Sequence, residues 1–214
     1  MQNPETVNVT YSDEFLIVVD KPGGLLTTPA HGELSLVDLL NQRFIGRFQL
    51  FVVHRLDRGT SGLLVFARTP VVARHLSLQF AKHSIEREYV AIVKGHVPES
   101  RGFIEIDVNG KKAKTYYEVL ERLDSTTTLR LRLSTGRRNQ IRYHVSALGF
   151  PVVGDERIGG ELARTSRWQQ ARIALHARIL SFIHPVLKSK LHFESQLPVA
   201  MQEFIDLEKR RVLS

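Results

Sequence analysis

The sequence of 214 residues is 43% apolar, a globular composition that suits one large domain or two small ones and lies outside the disordered range. It has no cysteine, which excludes disulfide frameworks, Cys-ligated zinc, Fe–S clusters, thiolate nucleophiles and the paired cysteines of zinc deaminases. Thirty Lys+Arg against 22 Asp+Glu leave a net charge of +8, which means either plain solubility or a polyanionic partner, with nucleic acid first in line.

Residues 1–14 carry acids but no Lys or Arg, unlike a signal or organelle-targeting peptide. The strongly apolar runs reach only about five residues, too short to span a bilayer, so a cytoplasmic protein is expected. No repeat, low-complexity stretch or linker rich in Pro, Gly and Ser divides the chain. A single domain over 1–214 is expected, with 1–10 as a peripheral segment. Short apolar, β-branched runs at 15–19, 51–53, 63–67 and 89–93 read as strands. Thr69-Pro70 forms an N-cap and first-turn pair, with Val72, Leu76 and Phe80 following at helical spacing. Residues 126–133 alternate as a half-buried strand with arginines on its wet face. A helix over 138–148 carries Ile141, Val145 and Leu148 on one stripe and stops at Gly149, with Pro151 beyond. Runs at 174–183 and 190–194 flank His184-Pro185 as a hairpin, and 198–209 closes the chain as a helix. Strands outnumber helices without regular βαβ alternation, which predicts an α+β fold on a largely antiparallel sheet.

Nucleotide-phosphate, dinucleotide and nucleophile-elbow motifs are missing, and the nine histidines show no H-x-H or H-E-x-x-H spacing. No metal site or cofactor is expected. Two segments stand out instead. His54-Arg55-Leu56-Asp57-Arg58-Gly59-Thr60-Ser61-Gly62 sets one acid between two arginines and ahead of two glycines. It is either a loop that aims a carboxylate into a cleft or a turn whose Asp caps backbone N–H groups. Thr135-Gly136-Arg137-Arg138-Asn139-Gln140-Ile141-Arg142 opens the helix at 138–148. From Arg130 to Arg172 there are nine arginines, no lysine and three acids. Such a run is either a solvated basic face or a phosphate-binding surface, and of Arg138 and Arg142, which share a helix face, one would meet RNA or DNA while the other turns inward.

Taken together, these residues resemble the RluA-type pseudouridine synthases. His54-Arg55-Leu56-Asp57 with Thr60-Ser61-Gly62-Leu63-Leu64 is similar to the family signature. Lys21-Pro22-Gly23-Gly24-Leu25, Arg87-Glu88-Tyr89-Val90-Ala91, Leu133 through Arg142, Gly154-Asp155 and His184-Pro185 resemble its further motifs, in order. The resemblance implies a long, mixed, mostly antiparallel sheet with flanking helices and a central RNA-binding cleft. It implies isomerisation of uridine in ribosomal or transfer RNA to pseudouridine, without metal or cofactor. Asp57 would act at the sugar, by attack at C1′ or by assisting elimination of the base. Arg142 would pair with that aspartate, and Tyr89 would stack on the target base. Arg55 would fill the gap left by the flipped uridine, with Lys21, Arg137, Arg138 and Asn139 also at the RNA.

Asn139 stands where the family usually has His, which implies an altered RNA contact. The family pattern starts after about ten residues, which implies that the small S4-type domain of many relatives is absent. A monomer without protein partners is the simplest expectation. Two other readings compete: a catalytically silent RNA-binding module on the same fold, and a metal-dependent nucleic-acid hydrolase. Asp57, Tyr89 and Arg142 argue against the first, and the lack of clustered carboxylates argues against the second.

Overall fold

The run Leu16-Ile17-Val18-Val19 is apolar at every position, as a strand covered on both faces must be, and all four residues are fully buried. In the computed structural model, which describes residues 7–30, 32–46 and 49–212, this run forms β2 (Leu16–Lys21). The strand β1 (Asn8–Ser12) pairs with it antiparallel along one edge, and β4 (Ser61–Ala67), buried throughout, pairs along the other. The two-residue β3 (Phe51–Val52) also lies on β4. Two helices complete this part: α1 (Leu36–Arg43), opened by a capping box of Ser35 and Asp38, and α2 (Pro70–Ala81), capped by Thr69. Leu76 of α2 packs with Leu16, Val18, Leu63 and Val65 in one core.

A second group runs β5 (Glu86–Lys94), β6 (Arg101–Glu105), β7 (Lys114–Arg122) and β8 (Thr126–Leu133) in the spatial order β5-β8-β7-β6, all antiparallel. It carries α3 (Gln140–Ala147) and the short α4 (Glu156–Gly159). After these come β9 (Leu175–Ile183), β10 (Lys190–Glu194), antiparallel to β9, and α5 (Val199–Val212). By contact density the chain divides into two compact units, Met1–Glu86 with Ile179–Ser195 and Arg87–Arg178 with Gln196–Ser214. Neither is a continuous stretch of chain, so neither corresponds to a domain that a linker could delimit. Among the described residues no helix is long and apolar enough to cross a membrane.

The expected strands and helices are present, 126–133 and 190–194 with their expected bounds and the others with bounds shifted by at most three residues. Other elements lie outside that expectation. α1 is short, and its stripe of Leu36, Leu39 and Leu40 is narrow. α4 is a single turn, too brief to carry any period. β6 and β7 expose Phe103, Tyr116 and Leu120, which blurs the alternation on which a strand is recognised. At the N-terminus Val7 is buried and residues 8–10 belong to the edge strand β1, while residues 1–6 lie outside the described ones. His31 also lies outside them.

Candidate active site

In the first unit the loop between β3 and β4 holds Asp57. The residues on either side of it are tied to the chain after β2. Before it, the Leu56 N–H donates to Thr27 Oγ1 at 3.3 Å, and the Thr27 hydroxyl donates to the Leu56 carbonyl at 2.8 Å. After it, the Arg58 carbonyl accepts from Gly24 N–H at 2.8 Å and from Lys21 Nζ at 3.3 Å, while Arg58 Nε donates to the Gly24 carbonyl. The Asp57 carbonyl accepts the Thr60 N–H and closes a tight turn. Gly62, the second residue of β4, takes up φ 114° just after that turn, an angle that glycine reaches without strain. His54 stacks on Phe80 with centroids 4.3 Å apart, and its Nε2 accepts the Val65 N–H. Asp57 itself is half-buried, and Arg55 is exposed.

Lys21 departs from the expectation of an RNA contact. It is fully buried, and its ammonium donates to the carbonyls of Pro22, Leu25 and Arg58. A charge held on three carbonyls fixes the loop around Asp57 and has no surface to offer a phosphate.

In the second unit Tyr89 lies on the face of the sheet against which α3, the helix that carries Arg142, is packed. Tyr89 is in register with Leu131, and Leu131 with Tyr117, so all three side chains project from the same side. Thr115, two residues before Tyr117, receives Gln140 of α3 on that side at 3.0 Å. Tyr89 is buried, with 8% of its surface exposed. Arg142 is buried as well, and its Nε and Nη2 each donate to one oxygen of Asp155 at 2.6 Å. Its Nη1 donates to Asn139 Oδ1 at 2.9 Å. Asn139, at φ 57°, occupies the left-handed region that Asn tolerates, and so turns its side chain back onto Arg142.

Sequence reasoning did not single out Asp155 or Gln140 as site residues. Asp155 stands in the Gly154-Asp155 match, but thirteen residues and a turn separate it from Arg142, so spacing cannot reveal the pair. Gln140 uses its whole amide: Oε1 accepts from the Thr135 hydroxyl and the Arg137 N–H, and Nε2 donates to the Lys114 carbonyl and Thr115 Oγ1.

The arginine run from 130 to 172 is mostly committed within the protein. Arg130 and Arg132 point away from the Tyr89 face and pair with Glu88, Arg130 also with Glu118. Arg164 pairs with Glu156, and Arg167 with Asp124 and Glu208. Arg138 and Arg157 make no ion pair among the described residues, and Arg138 is exposed ahead of α3 rather than within it. Arg137 is half-exposed, with its Nε on the Lys112 carbonyl.

A family model described as RNA pseudouridylate synthase matches residues 15–147. The ribosomal large subunit pseudouridine synthase D of Zymomonas mobilis is 35% identical, over 92% of this chain and 71% of its own. The dual-specificity RNA pseudouridine synthase RluA of Escherichia coli is 34% identical, over 87% of this chain and 91% of its own. The solved structure of human RNA pseudouridylate synthase domain containing 1 matches with a TM-score of 0.75 at 27% identity, covering 92% of this chain and 85% of that one. The chain belongs to the RNA pseudouridylate synthase family, within its RluA branch. It is an isomerase acting on RNA, and the α+β fold with a mostly antiparallel sheet is the family's.

Proposed function

We propose that Asp57, Tyr89 and Arg142 carry the isomerisation of uridine, and that the whole chain serves as one catalytic domain. The observation that supports this most is the fixing of Asp57 from both sides by Thr27, Gly24 and Lys21. A turn that merely reverses the chain has no need of a buried ammonium beneath it. The reaction breaks the N1–C1′ bond of uridine, turns the uracil and joins C5 to C1′, with the C5 hydrogen lost as a proton. Asp57 acts at the sugar, either by attack at C1′ or by assisting departure of the base, and in both routes its carboxylate is required. Tyr89, an aromatic ring in a nearly closed setting, stacks on the detached uracil, and its hydroxyl serves the late proton transfer. Arg142, aimed by Asp155 and Asn139, brings positive charge to the reacting centre. Arg55, exposed two residues before Asp57, enters the space the flipped uridine leaves. Arg138 and Arg137 contact phosphates. Asn139 acts through Arg142, and Lys21 acts by positioning the Asp57 loop.

The substrate class we propose is ribosomal RNA first and transfer RNA second, in the cytoplasm, with the protein acting as a monomer. The relatives' names support that order. Carbodiimide-based primer extension on RNA from cells with and without the gene tests it. A ribosomal site lost in the deletion is expected. A site lost only in transfer RNA would reverse the order, and no lost site in either RNA would overturn the substrate class.

A further inference from the structure

The connection between β6 and β7 is a tight hairpin that the sequence motifs did not mark. Val108 and Lys111 exchange both backbone hydrogen bonds, at 2.9 and 3.2 Å, across Asn109 and Gly110. Those two residues sit at φ 53° and 70°, the left-handed pair that an Asn-Gly turn provides. The tip presents Lys111 and Lys112, both exposed and neither in an ion pair among the described residues. The carboxylate of nearby Glu105 is taken by Lys114 at 2.8 Å.

The hairpin is also bolted along its length to α3 and to the segment that leads into it. His144 Nε2 donates to the Ile106 carbonyl at 2.9 Å, and burial pushes the His144 pKa down. Arg137 Nε donates to the Lys112 carbonyl at 3.1 Å. Lys114 N–H donates to Thr135 Oγ1, and the Lys114 carbonyl accepts from Ser134 N–H and Gln140 Nε2. A solvated surface turn needs none of these ties. Their effect is to hold Lys111 and Lys112 in fixed relation to Arg137, Arg138 and, through α3, Arg142.

We propose that this hairpin tip is a second phosphate grip, in which Lys111 and Lys112 bind the RNA backbone beside the contacts of Arg137 and Arg138. The proposal rests on RNA being the substrate, which the family establishes. A hairpin backbone already held in place has little freedom of its own left to lose on binding, so that only the two lysine side chains remain to be ordered. Arg137 then has two tasks, a strut through Nε and a charge through its outer nitrogens.

The test is a salt titration of binding to a fluorescein-labelled RNA stem-loop with uridines in its loop. For the variant carrying Lys111→Ala and Lys112→Ala, the slope of log K against log salt should fall by about two, roughly one for each phosphate left without its cation. Lys111→Arg with Lys112→Arg should restore the slope. Arg137→Lys keeps the charge but removes the Nε strut, and should weaken binding while the slope stays near wild type. An unchanged slope in the double alanine variant would overturn the proposal, while tritium release from the same RNA would still report on the Asp57 site.

Discussion

Arg142 and Asp155 show how a single pair of side chains sets the state of the site. Both are more than nine-tenths buried and meet through two parallel hydrogen bonds of 2.6 Å, the bidentate geometry that suits a guanidinium and a carboxylate. Breaking such a buried pair by removing one partner is costly, because the remaining group stays buried and loses both of these bonds. Asp155→Asn is therefore expected to destabilise the fold by about 3–5 kcal/mol in urea denaturation and to lower turnover as Arg142 loses its aim. Arg142→Ala should abolish nearly all turnover. Tyr89→Phe should still allow base detachment but stall before product release, seen as accumulated intermediate without pseudouridine. Asp57, Tyr89 and Arg142, the residues proposed to carry the chemistry, each stand inside a motif that the sequence shows. The partner of Arg142 cannot be picked from the sequence, because the turn that brings Asp155 back leaves no periodic trace. Lys21 reads as an RNA contact for the opposite reason: its motif is plain, but nothing in a sequence says that a lysine is fully buried.

At the level of elements, the Asp57 loop depends on the segment after β2. Lys21→Met keeps the length of the side chain and removes the ammonium, leaving the carbonyls of Pro22, Leu25 and Arg58 without that donor. A loss of about 2–4 kcal/mol is expected, given that hydrogen bonds to a charged group are each worth about 1.5–3 kcal/mol. RNA binding should survive better than turnover, since the loop shifts while the surface charges stay. Two carboxylates clamp elements elsewhere. Burial pushes Asp13 up, but hydrogen bonds from the Tyr11 hydroxyl, the N–H groups of Phe15 and Leu16 and His184 outweigh it, so its pKa lies below the ordinary 3.8. Glu208 of α5 follows the same logic: burial raises it, while Ser125, Arg167 and Thr126 lower it below 4.5. Each group binds fewer protons folded than unfolded in the acidic range. The stability they supply is complete above their ordinary values and is lost as pH falls through the lowered ones. Asp13→Asn and Glu208→Gln should flatten that acid loss in thermal melts between pH 6 and about pH 3. The strongly periodic elements, β8 and α2 among them, are legible in the sequence to within a residue or two. α1 escapes although Ser35-x-x-Asp38 is a capping box, because its apolar stripe is only Leu36, Leu39 and Leu40. α3, equally short, is legible because Gly149 and Pro151 mark its end.

For the whole molecule, the net charge of +8 points to a polyanion, but most of the arginines between 130 and 172 serve the fold. Arg130 and Arg132 pair with Glu88 on the face away from Tyr89, so their alanine variants should leave the salt slope of RNA binding unchanged. Arg138→Ala should reduce it by about one. A sequence shows how many charges there are; only the fold shows which remain for a partner. The chemistry itself rests on one carboxylate. Tritium release from RNA labelled at C5 of uridine tests it most directly, because C5 loses its hydrogen when it joins the sugar. Asp57→Asn keeps the shape of the side chain and removes the charge. The expected result is a fall in tritium release of at least roughly 10²–10⁴-fold with RNA binding retained or slightly strengthened. Release at the wild-type rate would contradict the assignment of Asp57 and the mechanism built on it.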